Sequence, residues 1–401
     1  MRNKLYCTMK KIALAIENFS RYKGGAESYA VSLASTLIEN GWEIHLFGQS
    51  WDAEPQAALF HRIKIPKLLP SWAKMILFAL KHRKMVKSQA FDVILGFGNT
   101  IYMTVYQSHG GVHRFSTARK VYAETNIILR TIKRLLIAFS VKDKVRHWIE
   151  SAPFRLNPRP KIIAISQMVR RDMASFYGIS EKEIKLTYNG VDTEKYNTNA
   201  RERLRGPMRQ QLGINDDDIA FLFISYDLKK KGIVPLIEAS AELKESSVSN
   251  FLVLVVGEHP NHSVLRRVSQ LGLEDTMFFA GPTRAPEEYY ANCDVLVLPT
   301  FYDACSLVVL EAMACGLPAI TTISNGAAGI ITHGKDGYVI SHPPFPEELA
   351  EAMKALMSHD SLKQVSRQAS LTGKRYTLEK NHREMIKVFN EAVRERVQNL
   401  L

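Results

Sequence analysis

The chain has 401 residues, 46% apolar and 23% charged, a composition that excludes a low-complexity or disordered chain and a length that implies two or three domains with sizeable cores. Its net charge of +13 is unevenly placed: residues 1–200 carry 31 Lys and Arg against 15 Asp and Glu, a net of +16, and residues 201–401 carry 22 against 25, a net of −3. No 18-residue apolar run is present, which argues against a membrane-spanning helix. The first half therefore calls for an anionic partner: nucleic acid, an anionic membrane surface or a phosphorylated acceptor.

In chain order, the first apolar run is "KKIALAI" (10–16). It is too short for a signal-peptide core and reads as a β-strand. A loop, "ENFSRYKGG", and a helical pattern ending at Gly41 follow, then the strand "WEIHLFG" (42–48). This is a β-loop-α-β unit with Gly24 and Gly25 at the loop-to-helix junction, where bare backbone can approach a phosphate. Two segments, 71–87 and 126–139, are cationic and amphipathic. Each reads either as a membrane-surface helix or as a helix packing its apolar face on the domain's own sheet. Strands at 91–98, 102–109 and 161–166 continue the alternation. The second half repeats it, with strands at 219–225, 250–258, 277–281, 294–300 and 318–322. Helices at 232–243, 262–271, 286–292 and 306–315 lie between them.

Short apolar strands alternating with helices indicate parallel, doubly wound sheets. The expected fold is thus α/β, with two Rossmann-like domains facing a central cleft. Residues 1–195 form the first, 196–379 the second, and 380–401 a final helix crossing back to the first. The Arg-rich stretch 192–211 reads as the loop between them. The four cysteines (Cys7, Cys293, Cys305, Cys315) form no C-x-x-C pair and no metal-ligand cluster, and read as reduced, buried thiols.

Candidate chemistry gathers at the C-terminal ends of strands, where open α/β sheets bind ligands. Strand 294–300 runs into "FYDACSLVVLEA", with Asp303 in the loop and Glu311 in the following helix. The N–H groups of Ser306, Leu307 and Val308 open that helix and form an anion site. The spacing lets both carboxylates line one pocket around an anion that bears hydroxyls at both ends, as a nucleotide-sugar does. Taken alone, the pair reads equally well as a helix cap with solvated acids. Lys230 and Lys231, before Gly232 in "YDLKKKG", reach a diphosphate or form a solvated charge run. His109, in "YQSHGGVH", ends a strand.

Taken together, "GGAE", "AISQMVRRDMASFYGI", "YNGVD", the Lys-Gly loop and "DVLVLPTFYDACSLVVLEAMACGLPAITT" resemble the retaining glycosyltransferases of family 4, with their GT-B fold, over nearly the whole chain. The overall look is closest to members that glucosylate a lipopolysaccharide core. The resemblance implies that Glu311 holds the donor ribose, Asp303 faces the hexose, and Lys230 and Lys231 neutralise the diphosphate with the backbone near Gly25 and Leu307. It places His109 beside the transferring sugar, and Glu258 and Phe279 near the nucleobase. It implies a hexosyltransferase that retains anomeric configuration and needs no cofactor and no metal, with a nucleotide-sugar donor, UDP-linked, and a lipid-linked or phosphorylated glycan acceptor. With the basic first half, it places the protein in the cytoplasm, peripheral at the inner face of the membrane. The alternatives are the same fold acting on another polysaccharide intermediate and a degenerate GT-B nucleotide-binding protein.

Two positions depart from the family pattern: Asp303 stands where Glu is usual, and Gly329 where an acid is usual. Nucleic acid is not an expected partner, because no aromatics interleave with the basic residues in a recognised nucleic-acid fold.

Overall fold

The structure is a computed structural model and describes residues 9–20, 24–51, 57–246 and 250–398. Cys7, part of the loop 17–25 and the last three residues of the expected final helix lie outside the described residues. The first sheet has seven strands: β1 (Lys11–Ala15), β2 (Glu43–Gly48), β3 (Leu59–Arg62), β4 (Val93–Gly96), β5 (Val105–Ser108), β6 (Lys161–Ala164) and β7 (Ile184–Leu186). Their order is β3-β2-β1-β4-β5-β6-β7, all parallel. The second has six: β8 (Ile219–Ser225), β9 (Phe251–Gly257), β10 (Met277–Gly281), β11 (Val295–Leu298), β12 (Ala319–Thr322) and β13 (Gly337–Ile340). Their order is β10-β9-β8-β11-β12-β13, again all parallel.

Both sheets reverse direction beside their first strand, and such a switch point opens a crevice at the carboxyl ends of the two central strands. Strands β8 and β9 are buried along their whole length, which is why they read as unbroken apolar runs. The two Rossmann-like domains of the expected fold are present.

The helices that matter below are α1 (Gly25–Glu39), α2 (Ser71–Lys87), α3 (His113–Lys120), α4 (Ile127–Phe139), α5 (Val141–Glu150), α6 (Leu307–Ala314) and α7 (Leu378–Gln398). Helix α7 follows the second domain but packs on the first. Met385, Val388 and Phe389 are at most 2% exposed, within the cluster formed by α1 and the first sheet. Burial of side chains this large is worth about 1.5–3 kcal/mol each. The two chain crossings pair with one another: Val191 N–H donates to the Tyr376 carbonyl at 2.9 Å, and Leu378 N–H donates to the Val191 carbonyl at 2.8 Å.

The stretch 192–211 is not the simple loop expected. It contains helices Thr198–Leu204 and Pro207–Gln211. Arg201, Arg205 and Arg209 from these helices all reach Asp294, at 3.4, 2.7 and 3.1 Å. The arginines are a staple of the second domain. Cys293, Cys305 and Cys315 are buried and unpaired.

The two amphipathic helices differ. In α2, Phe78, Ala79, His82 and Val86 are buried while Trp72 and Leu80 are 39% and 45% exposed, so it packs only part of its apolar surface into the domain. Helix α4 buries none of its residues. No helix among the described residues is long and apolar enough to cross a membrane.

Candidate active site in the interdomain cleft

The site forms where the loops after β8 and β11, neighbours at the second sheet's switch point, meet the first domain. The loop after β8, Tyr226–Lys231, is held by short bonds. Asp227 N–H donates to Ser225 Oγ at 2.9 Å, and Leu228 N–H donates to Glu258 Oε2 at 2.9 Å. The Lys230 carbonyl accepts from Phe301 N–H at 3.0 Å, tying this loop to its neighbour. Gly232 has φ +91°, and a Cβ there would lie 2.1 Å from the Pro299 carbonyl oxygen. Only glycine allows the lysines this close to the next loop.

The loop after β11 is gripped from both domains. Within its own domain, Asp303 N–H donates to the Ser324 carbonyl at 3.0 Å and Gly326 N–H donates to the Asp303 carbonyl at 2.8 Å. From the first domain, Ser166 Oγ donates to the Ala304 carbonyl at 2.7 Å and Asn189 Nδ2 to the Cys305 carbonyl at 3.1 Å. Gly111, at φ +70°, lies against Tyr302 so closely that a Cβ would sit 1.8 Å from the tyrosine oxygen.

These loops enclose a cavity of about 250 Å³. His109, Gly110 and Lys120 line it from the first domain, and Asp227, Lys230, Lys231, Tyr302, Asp303 and Ala304 from the second. Lys231 pairs with Asp303 and Lys230 with Asp227. Among the described residues Lys120 makes no salt bridge, and it lies 5.4 Å from the centre of the Tyr302 ring. Burial, then the charges of Lys231 and Lys230, pulls its pKa down to about 8. Three ammonium groups thus converge with two carboxylates, which leaves one net positive charge facing an anionic ligand. A lone lysine near a helix end carries no sequence signal, and Lys120 was not anticipated.

Two helix N-termini face each other here. Gly24 caps α1 without a side chain and Gly25 opens it. A Cβ on Gly25 would lie 3.1 Å from Leu307 Cδ1 at the start of α6. Of the three N–H groups expected to hold an anion, that of Ser306 is already taken, donating to Asn325 Oδ1 at 3.2 Å. Those of Leu307 and Val308 have no protein acceptor among the described residues, so the site is narrower by one donor.

The His109 ring lies 4.6 Å from that of Tyr29 and 5.2 Å from that of Phe97. Burial holds its pKa down to about 3, so the imidazole is neutral. Its Nε2 is buried with no hydrogen-bond partner among the described residues. Such an atom is costly unless a ligand group meets it.

The remaining expected residues lie elsewhere. Glu311 is not among the residues that line this cavity with Asp303. It accepts a 2.7 Å hydrogen bond from Tyr290 Oη. Desolvation raises its pKa, opposed by the Tyr290 bond and Lys195. Glu258 braces the lysine loop through Leu228 N–H. Phe279 is half-buried against the core. At Gly329, a Cβ would lie 2.5 Å from Tyr188 Oη, so the tyrosine occupies the space that an acidic side chain would need.

The family model described as "Glycosyl transferases group 1" matches residues 205–374, and that of "Glycosyltransferase Family 4" matches residues 23–195. The chain is 25% identical over 343 residues to the lipopolysaccharide glucosyltransferase WaaG of Escherichia coli (strain K12), covering 85% of this chain and 88% of that one. It is 23% identical over 358 residues to the D-inositol 3-phosphate glycosyltransferase of Paenarthrobacter aurescens (strain TC1), covering 83% and 84%. Among solved structures, that of WaaG superposes with a TM-score of 0.76 at 22% identity, over 94% of this chain and 99% of that one. Anabaena HepE, in complex with UDP and glucose, superposes at 0.67 and 17% identity, over 95% and 100%. With the two models meeting at the interdomain crossing and both sheets in place, the chain belongs to the family 4 glycosyltransferases of the GT-B fold.

Proposed function

We propose that the protein transfers a hexose, glucose, from UDP-glucose to a lipopolysaccharide core or related lipid-linked glycan, with retention of anomeric configuration and without a metal ion. The observation that carries this is the interdomain cavity lined by Lys120, Lys230, Lys231 and His109, together with the close approach of the N-termini of α1 and α6 at Gly25 and Leu307. Cations and helix dipoles fixed before the reaction stabilise charge developing on a leaving diphosphate, the task a metal performs in other transferases.

In this reading the bond from the anomeric carbon to the leaving phosphate oxygen breaks while a bond to the acceptor hydroxyl oxygen forms on the same face. The hydroxyl proton passes to the departing phosphate. Lys231 and Lys230 exchange their carboxylate partners for phosphate oxygens, and Asp303, released from Lys231, turns to the sugar hydroxyls. Neutral His109 offers Nε2 to a sugar hydroxyl. Glu311, from α6, takes the ribose hydroxyls, and Phe279 lies toward the base.

The exposed face of α4 supports a lipid-linked acceptor. Ile128, Leu136 and Phe139 are 67%, 67% and 76% exposed, among Arg130, Lys133 and Arg134. A helix with a bare apolar face and basic flanks lies in a membrane interface, and each basic residue near an anionic leaflet adds about 1 kcal/mol. Peripheral docking at the cytoplasmic face of the membrane brings the first domain to a lipid-linked acceptor.

The test is a donor screen in EDTA with UDP-glucose, UDP-galactose, UDP-GlcNAc and GDP-mannose, following release of nucleotide diphosphate. Slow hydrolysis of UDP-glucose alone is expected. Silence on all four would favour a nucleotide-binding protein without transferase activity.

A further inference from the structure

Helix α4 is joined to α5 by Ser140 alone, and the exposed apolar surface continues across the joint: Phe139, Val141 and Trp148 are 76%, 52% and 39% exposed. Beside it, between α2 and α5, lies a cavity of about 390 Å³ lined by Ile76, Val141, Val145 and Trp148, with Lys144 as the single charged residue. Val145 also packs against the small buried cluster of Ala79, Ile101, Ile149 and Ala152. The cavity is therefore a groove of the folded domain with its own floor, separate from the interdomain cleft.

Its surroundings are cationic. Among the described residues, Lys142 and Lys144 form no salt bridge and Arg146 comes no closer to a carboxylate than 3.9 Å. An apolar slot with the Lys144 ammonium at its edge matches a ligand that is apolar along its length and anionic at one end. Tryptophan at the rim suits the boundary between headgroup and acyl chain.

We infer that this groove receives one acyl chain of an anionic bilayer phospholipid, with the phosphate held by Lys144 and its neighbours. The inference rests on the membrane-facing reading of α4 and goes beyond it, since an amphipathic helix docks on a bilayer without any groove. The groove makes docking selective for lipid charge and fixes the depth at which the first domain rides.

The test uses the full chain with vesicles of phosphatidylglycerol or phosphatidylcholine carrying dibrominated acyl chains. Co-sedimentation reports docking, and quenching of tryptophan fluorescence reports contact with the chains. We expect co-sedimentation and quenching with phosphatidylglycerol, loss of most of the quenching in Trp148→Phe, and little change in Trp72→Phe. Val145→Asp should weaken vesicle binding several-fold and remove the quenching while keeping the thermal shift produced by UDP, which shows that it is folded. Co-sedimentation with quenching unaltered in Trp148→Phe would overturn the groove and leave α4 as the docking element. Equal quenching in phosphatidylcholine would overturn the anionic assignment. Failure to co-sediment with either vesicle would overturn the groove and the membrane reading together.

Discussion

Ser166 Oγ donates a 2.7 Å hydrogen bond to the Ala304 carbonyl in the other domain while accepting Val169 N–H at 3.2 Å as a helix cap. One buried hydroxyl thus starts a helix of the first domain and restrains the loop that carries Asp303. Ser166→Ala should cost about 1 kcal/mol through the cap, read as a lower thermal midpoint. It also frees the 303–305 loop, so the KM for donor should rise more than kcat falls. An unchanged donor KM would show that the bridge does not order the loop.

Lys120 predicts the pH dependence of donor binding. Its pKa is lowered to about 8 by burial and by Lys231 and Lys230. It is charged below that pH and attracts the diphosphate, and it loses its charge above, so donor affinity should fall as pH rises from 7 to 9. Stability moves the other way: the charged form is disfavoured in the fold, and that cost disappears as pH rises above about 8. Lys120→Arg, which keeps its charge, should flatten the affinity profile. Titration of UDP across this range, in both proteins, checks it.

Asp294 sits before β11, at the end of the strand away from the cavity, and holds three arginines. Its Oδ2 also accepts Ala220 N–H at 2.9 Å. Asp294→Ala leaves the buried Arg209 guanidinium unpaired, and breaking a buried pair this way costs about 3–5 kcal/mol. Chemical denaturation should show that loss, while UDP affinity of the folded protein stays near wild type.

Most of the sheet frame is legible in the sequence because the central strands are buried on both faces: "IAFLFIS" and "NFLVLVVGE" admit few other readings. The edge strands Leu59–Arg62, Ile184–Leu186 and Gly337–Ile340 are short and mix polar with apolar residues, so pairing with a neighbour, not pattern, makes them strands. Helices α2 and α4 carry the same basic amphipathic signature. They differ in tertiary surroundings, since α5 packs against α2 and none of the described residues buries α4. At the site, the lysine loop and Asp303 were legible from their places after strands. Lys120 was not, because its role depends on two domains meeting. Glu311 lies a full turn inside α6, where Tyr290 holds it, a contact that the spacing from Asp303 does not reveal.

The proposed site of the nucleotide diphosphate is the interdomain cavity lined by Lys120, Lys230 and Lys231. The direct measurement is calorimetric titration of UDP and of uridine, in EDTA, into the native protein and Lys231→Ala. A charge-assisted hydrogen bond is worth about 1.5–3 kcal/mol, so UDP affinity should fall by about ten- to a hundredfold in the variant, while the weak binding of uridine stays the same. UDP binding equally well to Lys231→Ala, or uridine binding as tightly as UDP, would contradict the account.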